Sequence, residues 1–535
     1  MQRFANLLDA LSFQPARNAK LRLIEDYLST TPDPDRGYAL AALTGSLNLP
    51  NAKPAMLRAL GTARSDETLF ALSYDYVGDL AETLALIWTA TANRNAPSPS
   101  LSEVVEGLQA TPAKDVPVLL SGWLDLLDPT GRWALLKLIT GALRVGVSAR
   151  LAKTAAAQFG KVSTDDIEEI WHGMQPPFQG LFAWLSGTGT RPDRHGLSFR
   201  PLMLAHPLDE ADLPNLPPAE FRAEWKWDGI RVQLIALESE RRIYSRAGED
   251  ISKSFPDILE AMQFNAVLDG ELLVARPNTA DTTQVDIAPF NDLQQRLNRK
   301  TVTSRMLADW PAHVRLYDML QEGDTDLRPL PFDRRRQRLE AWYRSQPRPR
   351  FDLSPLIAFT DWQDLAALRI GARAAAIEGL MLKRADSPYL GGRIKGRWFK
   401  WKRDALTIDA VLMYAQRGHG KRSSFYSDYT FGCWQPNADG NEQVLVPVGK
   451  AYSGYTDDEL LLLDKWVRDH TVNRFGPVRE IRPGLVIELA FDAVQHSTRH
   501  KSGIALRFPR IHRIRWDKPV AEADSVATLA QLIAT

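Results

Sequence analysis

The sequence predicts a multidomain protein: an all-α N-terminal domain, an α+β domain in the middle and a C-terminal β-barrel domain. Three observations predict it. The chain has 535 residues, too many for a single core. Apolar positions recur at helical spacing up to about residue 190, then give way to short strand-like apolar runs. Where the pattern changes, Ser186-Gly187-Thr188-Gly189-Thr190-Arg191-Pro192-Asp193 gathers small and helix-breaking residues into a linker.

In the first region Phe4, Leu7, Leu8 and Leu11 share one helical face. So do Trp133, Leu135, Leu136, Leu138 and Ile139, and then Ile167, Ile170 and Trp171. Asp165 and Asp166 fall in the first turn of that last helix, where negative charge suits the helix dipole. In the second region the runs 232–237, 266–274, 314–320 and 380–382 read as strands. Residues 334–342 and 362–376 read as helices, giving an α+β domain. In the third, 408–414, 429–434, 443–448, 485–491 and 511–515 read as strands. One helix interrupts them, opened by Thr456 with Glu459 three residues on, a capping box. Five strands and one helix suit an oligonucleotide-binding barrel, with a small sandwich as the alternative.

Composition narrows the class. No apolar run is long enough to span a bilayer. The start MQRFANLLDALSF has no long apolar core and carries Asp9, so it does not read as a signal peptide. Cys433 is the single cysteine, which excludes intramolecular disulfides and a zinc site built from several thiolates. A reducing, cytoplasmic setting fits. The net charge of +1 hides two basic stretches. Residues 383–403 carry eight cations against Asp386 alone, and residues 499–518 carry seven against Asp517 alone. Such stretches suggest phosphate partners.

The most specific feature is Glu224-Trp225-Lys226-Trp227-Asp228-Gly229-Ile230-Arg231. Asp228 and Gly229 permit a tight turn beside Lys226, and Arg231 offers a guanidinium for ribose or phosphate. Strand period two sends Trp225 and Trp227 away from the face of Lys226, so neighbouring cations and metal, not the indoles, would activate its amine. K-x-D-G-x-R resembles the nucleophile motif of covalent nucleotidyltransferases. Transfer through lysine needs contacts to base and ribose, carboxylates for metal and cations for phosphates. Candidates follow in order: Arg246 in S-R-A-G, Glu271 in D-G-E, Tyr317 in L-Y-D as a stacking surface, and Glu378 in E-G-L-M-L-K. In Trp398-Phe399-Lys400-Trp401-Lys402, period two places Lys400 and Lys402 on one face, where two ammonium groups need an anion between them. The C-terminal run from Arg507 through Arg510, Arg513, Arg515 and Asp517 to Lys518 could orient a pyrophosphate leaving group, or form the basic rim of the barrel.

Taken in order, these motifs resemble the nucleotidyltransferase motifs of three-domain ATP-dependent DNA ligases of bacterial or archaeal type. Pro201-Leu202-Met203-Leu204-Ala205 is similar to the start of their catalytic domain. Leu143-Arg144-Val145-Gly146-Val147-Ser148 looks like a segment of their helical DNA-binding domain. The resemblance implies a helical DNA-binding domain at 1–195, an adenylation domain at 196–404 and an OB-fold at 405–535. It implies ATP as adenylate donor, Mg²⁺ or Mn²⁺, nicked duplex DNA as partner, and a monomer. By the same resemblance Lys226 takes AMP and Glu224 reads adenine. Arg231 and Arg246 contact ribose and phosphate, Glu271 holds ribose and supports metal, Tyr317 stacks on adenine and Glu378 binds metal. Lys400 and Lys402 contact the α-phosphate, Arg393 or Arg397 helps bind the nucleotide, and the C-terminal run engages pyrophosphate. NAD-dependent ligases, with a four-cysteine zinc site, are disfavoured by the lone cysteine. Capping guanylyltransferases normally lack a helical region of this size, and a non-catalytic scaffold would not need the full motif set.

Overall fold

The computed structural model describes the chain apart from residues 78, 91–95, 142, 194–196, 279–284, 298, 300, 346, 372–376, 418–424, 438, 476–477, 498–499 and 534–535, and the side chains of 75 and 76. It divides into two compact units. One comprises Met1–Ile167, Met174–Asp193 and Thr407–Gln531; the other comprises Glu168–Gly173, Arg194–Leu406 and Leu532–Thr535.

Up to residue 185 the described chain is helical, with twelve helices from Gln2–Phe13 to Gln179–Leu185. Local chemistry starts them. Ser100 forms a capping box with Glu103, and Asp128 accepts from the Gly131 amide with Pro129 at the first helical position. The faces read from periodicity are buried, including Phe4, Leu8 and Leu11, and Ile167 and Ile170. No described helix is long and apolar enough to cross a membrane.

In the second unit two sheets pack face to face. The larger has the order Phe351–Leu353, Ala312–Glu322, Ala266–Pro277, Ile230–Leu237, Glu240–Ser245, with Val285–Ile287 and Thr325–Asp326 attached at its side. The smaller has the order Leu356–Ile357, Phe221–Trp227, Ile377–Arg384, Trp398–Lys402, His206–Pro207. Ile235, Val267 and Leu320 of the larger sheet meet Trp398 of the smaller between them. The outer face of the larger sheet carries the main core, around Val232, Leu234, Leu268 and Leu316, closed by Ile258 and Leu339 from helices. The outer face of the smaller holds Phe221, Ala223, Leu380, Leu382 and Trp401 under Leu365. The helix read at 362–376 is seen as Trp362–Gly371, and its remainder lies outside the described residues.

One buried ion pair ties helix Phe332–Ser345 to the larger sheet. Arg335 donates to both Asp318 oxygens at 2.8 and 2.9 Å, and to the carbonyls of Leu330 and Ser387. Both side chains are fully buried. Removing one partner leaves an uncompensated buried charge. Asp318→Ala is therefore expected to cost about 3–5 kcal/mol, measured as a lowered denaturation midpoint. A shift under about 1 kcal/mol would show that water or a side-chain rearrangement neutralises Arg335 cheaply.

The C-terminal region has all five strands read from sequence and the helix Asp457–His470 with its Thr456–Glu459 capping box. Four further strands correct the count to nine among the described residues: Thr471–Phe475, Val478–Ile481, Ala493–His496 and Ile504–Arg507. They pair as two hairpins. Thr471–Phe475 is exposed at four of its five positions, so it leaves no apolar run to read.

Candidate active site

Lys226 lies near the end of strand Phe221–Trp227, directly across from Gly379, which in turn faces Lys402. The ladder shifts register between Ile377 and Gly379, leaving Glu378 as an extra residue in a β-bulge. Bulges re-aim side chains. Here the Glu378 carboxylate forms an ion pair with the Lys226 amine, and the Lys402 amine lies 3.9 Å from the same oxygen. Gly379 sits at φ +142°, and a Cβ there would meet the Trp401 carbonyl at 2.3 Å, so only glycine lets the strands close around these charges.

More cations gather beside them. Burial holds the Lys400 amine below its ordinary range, and Arg393, Lys402, Lys226 and Arg246 push in the same direction. Period two is observed on Trp398–Lys402: Phe399 and Trp401 join the outer apolar cluster and Trp398 packs between the sheets, on the side of Lys400 and Lys402. Arg397 instead pairs with Asp386 at 3.3 Å, so Arg393 is the arginine brought to Lys400.

From the larger sheet, Arg231, Glu271, Arg315 and Asp352 are register partners on four successive strands, a row of alternating basic and acidic residues on one face. Burial pushes the Glu271 carboxyl up to about 8. Glu378 and Asp228 add to that shift, while Lys226 and Arg231 oppose it. The native state thus holds a proton that the unfolded chain releases at lower pH. Its contribution to stability is intact below the ordinary carboxylate range and declines as pH rises towards about 8. The nucleotide-free protein should lose stability across that window, and Glu271→Gln should flatten the dependence. Equal slopes for both proteins in denaturation at several pH values would refute this assignment. Among the described residues no group of three or more His, Cys, Asp or Glu is arranged to hold a metal. Of the carboxylates near the lysine, Glu271 and Glu378 are the candidates for a metal, with Asp228 close by. The mutual repulsion of the two glutamates, which adds to the effect of burial on Glu271, suits a hard cation that needs few protein ligands.

Other residues read from sequence are placed as follows. Glu224 is buried, with one oxygen 2.6 Å from Lys383 and the other 3.2 Å from Arg336. Arg231 donates to Asp269 and to the Met203 carbonyl, both at 2.7 Å, and to the Tyr389 hydroxyl at 2.9 Å. Tyr317 is the unpaired residue at a register shift opposite Asp269 and Gly270, with the Lys383 amine 4.5 Å from its ring centroid. Arg246 is exposed on the turn closed by the Gly248 amide and the Ser245 carbonyl. Trp225 turns away from Lys226 as period two requires. Trp227 does not: its indole donates to Ser354 at 3.2 Å and lies under the Arg315 guanidinium. Strand alternation fails there because the opposing ladder is irregular.

The C-terminal run lies in the other unit. There Arg510 pairs with Asp492, Lys518 and Arg515 with Asp409, and Arg515 also with Asp517. The Arg515 guanidinium holds the Asp517 carboxyl down at about 2. Arg507 lies over the exposed Phe508 ring, and Arg513 is exposed. Arg499, in the same basic stretch, lies outside the described residues. Sequence reasoning missed Asp269, Arg315, Arg336, Lys383 and Tyr389 as parts of the site. Asp269 and Lys383 stand inside the quoted motifs; the other three carry no local signal.

Comparison with known proteins places this geometry. Residues 202–402 match the family model for the ATP dependent DNA ligase domain, and residues 422–518 the ATP dependent DNA ligase C terminal region. The chain is 30% identical to a "Probable DNA ligase" of Koribacter versatilis (strain Ellin345), covering 98% of this chain and 95% of the relative. It is 27% identical to "DNA ligase 1" of Korarchaeum cryptofilum (strain OPF8), covering 99% and 98%. Among solved structures, "Pmar-Lig_PreS3" is similar in fold, with a TM-score of 0.60 at 15% identity over 96% of this chain and 99% of that one. With the lysine site inside the matched catalytic region and relatives aligned over nearly its whole length, this chain belongs to the ATP-dependent DNA ligases, enzymes that form phosphodiester bonds.

Proposed function

We propose that this enzyme seals 3′-hydroxyl/5′-phosphate nicks in duplex DNA through a lysyl-AMP and then a DNA-adenylate. The observation that supports the reading best is the convergence of Lys226, Lys400, Lys402, Arg246 and Arg393, with Lys226 held on Glu378. Such a cluster of like charge is a site for a polyphosphate. Lys226 Nζ attacks the α-phosphorus of ATP. The N–P bond forms, the bond to the bridging oxygen breaks, pyrophosphate leaves, and the amine gives up its proton. AMP then passes to the 5′-phosphate of the nick, and the 3′-hydroxyl displaces it.

In this reading Lys400, Lys402 and Arg393 hold the phosphates, and Arg231 and Arg246 serve the ribose and phosphates. Tyr317 stacks on adenine. Glu224, paired with Lys383 and Arg336, has carboxylate oxygens with further lone pairs to accept from the base. Glu271 holds ribose. With Glu378 it fits a Mg²⁺ or Mn²⁺ ion, which when bound supplies positive charge to phosphate oxygens. The run Arg507 to Lys518 serves pyrophosphate in the first step. The helical region 1–195 clamps duplex DNA by its backbone, residues 196–404 carry the adenylation chemistry, and an OB-fold at 405–535 completes the enzyme. It works as a monomer in the cytoplasm.

The test is sealing of a nicked duplex with ATP and a divalent ion, alongside labelling of the protein by ATP or GTP. Sealing with an ATP adduct is expected, and an adduct from GTP alone would sink the proposal. Because the contacts are to phosphates, nick affinity should fall roughly 10³-fold or more between 50 and 200 mM salt. A shallow salt dependence would argue against backbone clamping.

A further inference from the structure

The end of the lysine strand is held from the opposite sheet. Arg315 grips Asp352 with two parallel hydrogen bonds, at 2.9 and 2.6 Å, and is only 11% exposed. His313 approaches the same carboxylate at 3.2 Å. The guanidinium fixed in this way lies over the strand end of the smaller sheet: its central carbon is 4.1 Å from the centroid of the Trp227 ring. The indole N–H of Trp227 reaches the Ser354 hydroxyl at 3.2 Å, and the Ser354 carbonyl accepts from Arg336 at 2.7 Å. Trp227 is thus clamped on a face and at an edge, one residue after Lys226 and just before the Asp228–Gly229 turn.

Lys226 needs such a clamp because its own ladder is irregular. Regular pairing of Phe221–Trp227 with Ile377–Arg384 runs from Phe221 to Lys226, then shifts at the bulge that carries Glu378. Beyond that shift a single register pair, Trp227 with Ile377, remains before the turn, so the ladder alone fixes the direction of the strand end weakly. On the other side of the turn, Gly229 packs so tightly that a Cβ would lie 2.5 Å from the Leu272 carbonyl. The tryptophan clamp and this close approach are the anchors on either side of Asp228.

We propose that Arg315 is a positioning residue for the adenylylation step: its stack on Trp227, anchored by Asp352, fixes the direction in which Lys226 leaves its strand. This rests on the reading of Lys226 as the nucleophile. Arg315 touches no reacting atom. It acts through Trp227, and misplacement of a nucleophile by about 1 Å costs on the order of 10²-fold in rate.

The experiment is single-turnover adduct formation with labelled ATP, followed by sealing of a separately prepared, already adenylated nick. Arg315→Met keeps the length and loses the planar cation; Trp227→Ala removes its platform. Each should slow adduct formation roughly 10- to 100-fold with the half-saturating ATP concentration nearly unchanged. The double variant should be no slower than the worse single variant, because the two residues act as one unit. Trp227→Phe, which keeps a ring under the guanidinium, should stay within about threefold of the parent. Sealing of the adenylated nick, in which the amine forms no bond, should be unchanged in all of them. Wild-type adduct formation in Arg315→Met, multiplicative losses in the double variant, or equal losses in both assays would overturn the proposal. If the parent forms an adduct that survives Lys226→Ala, it is the reading of Lys226 that fails, and the two failures are told apart.

Discussion

Lys226→Ala should form no adduct with labelled ATP, a loss of roughly 10⁴-fold or more, while still sealing a nick that is already adenylated. The two halves of this result follow from different facts. In the proposed mechanism the amine is the nucleophile only in the first step, so removing it deletes a bond-forming atom there and nothing that forms a bond later. The fold should survive the change. The side chain is 23% exposed, and it pairs with Glu378, which keeps the Lys402 amine 3.9 Å away as a compensating charge. A stability change of about 1 kcal/mol or less is expected, as for other partly exposed pairs. Lys226→Arg separates charge from nucleophilicity: it keeps the cation on Glu378 but not a titratable amine, and should fail at the same step. Retention of the adduct in either variant would mean that another residue carries AMP. Lys400, beside it and held below the usual lysine range by burial and neighbouring cations, would be the next to test.

Much of this site was legible because its chemistry is written in short runs. Lys226, Glu271, Glu378, Lys400 and Lys402 could each be named from a few neighbouring residues, and alternation alone placed Lys400 and Lys402 on one face. What was not legible depends on long-range pairing. Arg336 reaches Glu224 across 112 residues, and Tyr389 reaches Arg231 across 158. Nothing local marks either one. Period-two reasoning holds where a ladder is regular, as for Trp225, and fails where it shifts, as for Trp227 opposite the Ile377/Gly379 irregularity. Fold class followed from apolar runs, so the hairpin of Thr471–Phe475 with Val478–Ile481 was invisible: its first strand is mostly exposed and its second buries only Ile481, too little to leave a pattern. The division of the folded chain also departs from sequence order. Glu168–Gly173 joins the catalytic unit, whereas the residues on either side of it do not.

Gly379→Ala should be the most damaging methyl that can be added near the site. Two costs coincide there. The backbone lies at φ +142°, a region closed to residues with a side chain, which costs about 1–3 kcal/mol. The new Cβ would also lie 2.3 Å from the Trp401 carbonyl oxygen and 2.8 Å from the Lys402 Cα, and neither is a flexible side-chain end that can swing aside. The strand Trp398–Lys402 must move away or the bulge must unwind. In the first case Lys400 and Lys402 leave the proposed phosphate site; in the second Glu378 loses Lys226. Either way adduct formation should fall by roughly 10²-fold, and stability by roughly 3–5 kcal/mol. Two other glycines separate the causes. Gly396 has φ +78° but nothing within 4 Å, so Gly396→Ala carries backbone strain alone. Gly371 ends a helix with open space and ordinary backbone, and Gly371→Ala should be neutral or stabilising by up to about 1 kcal/mol. If Gly379→Ala lost no more than Gly396→Ala in denaturation and adenylated at the parental rate, close approach at the bulge would not be what holds Lys226, Glu378 and Lys402 together. The wild-type glycine would then be a matter of backbone conformation only.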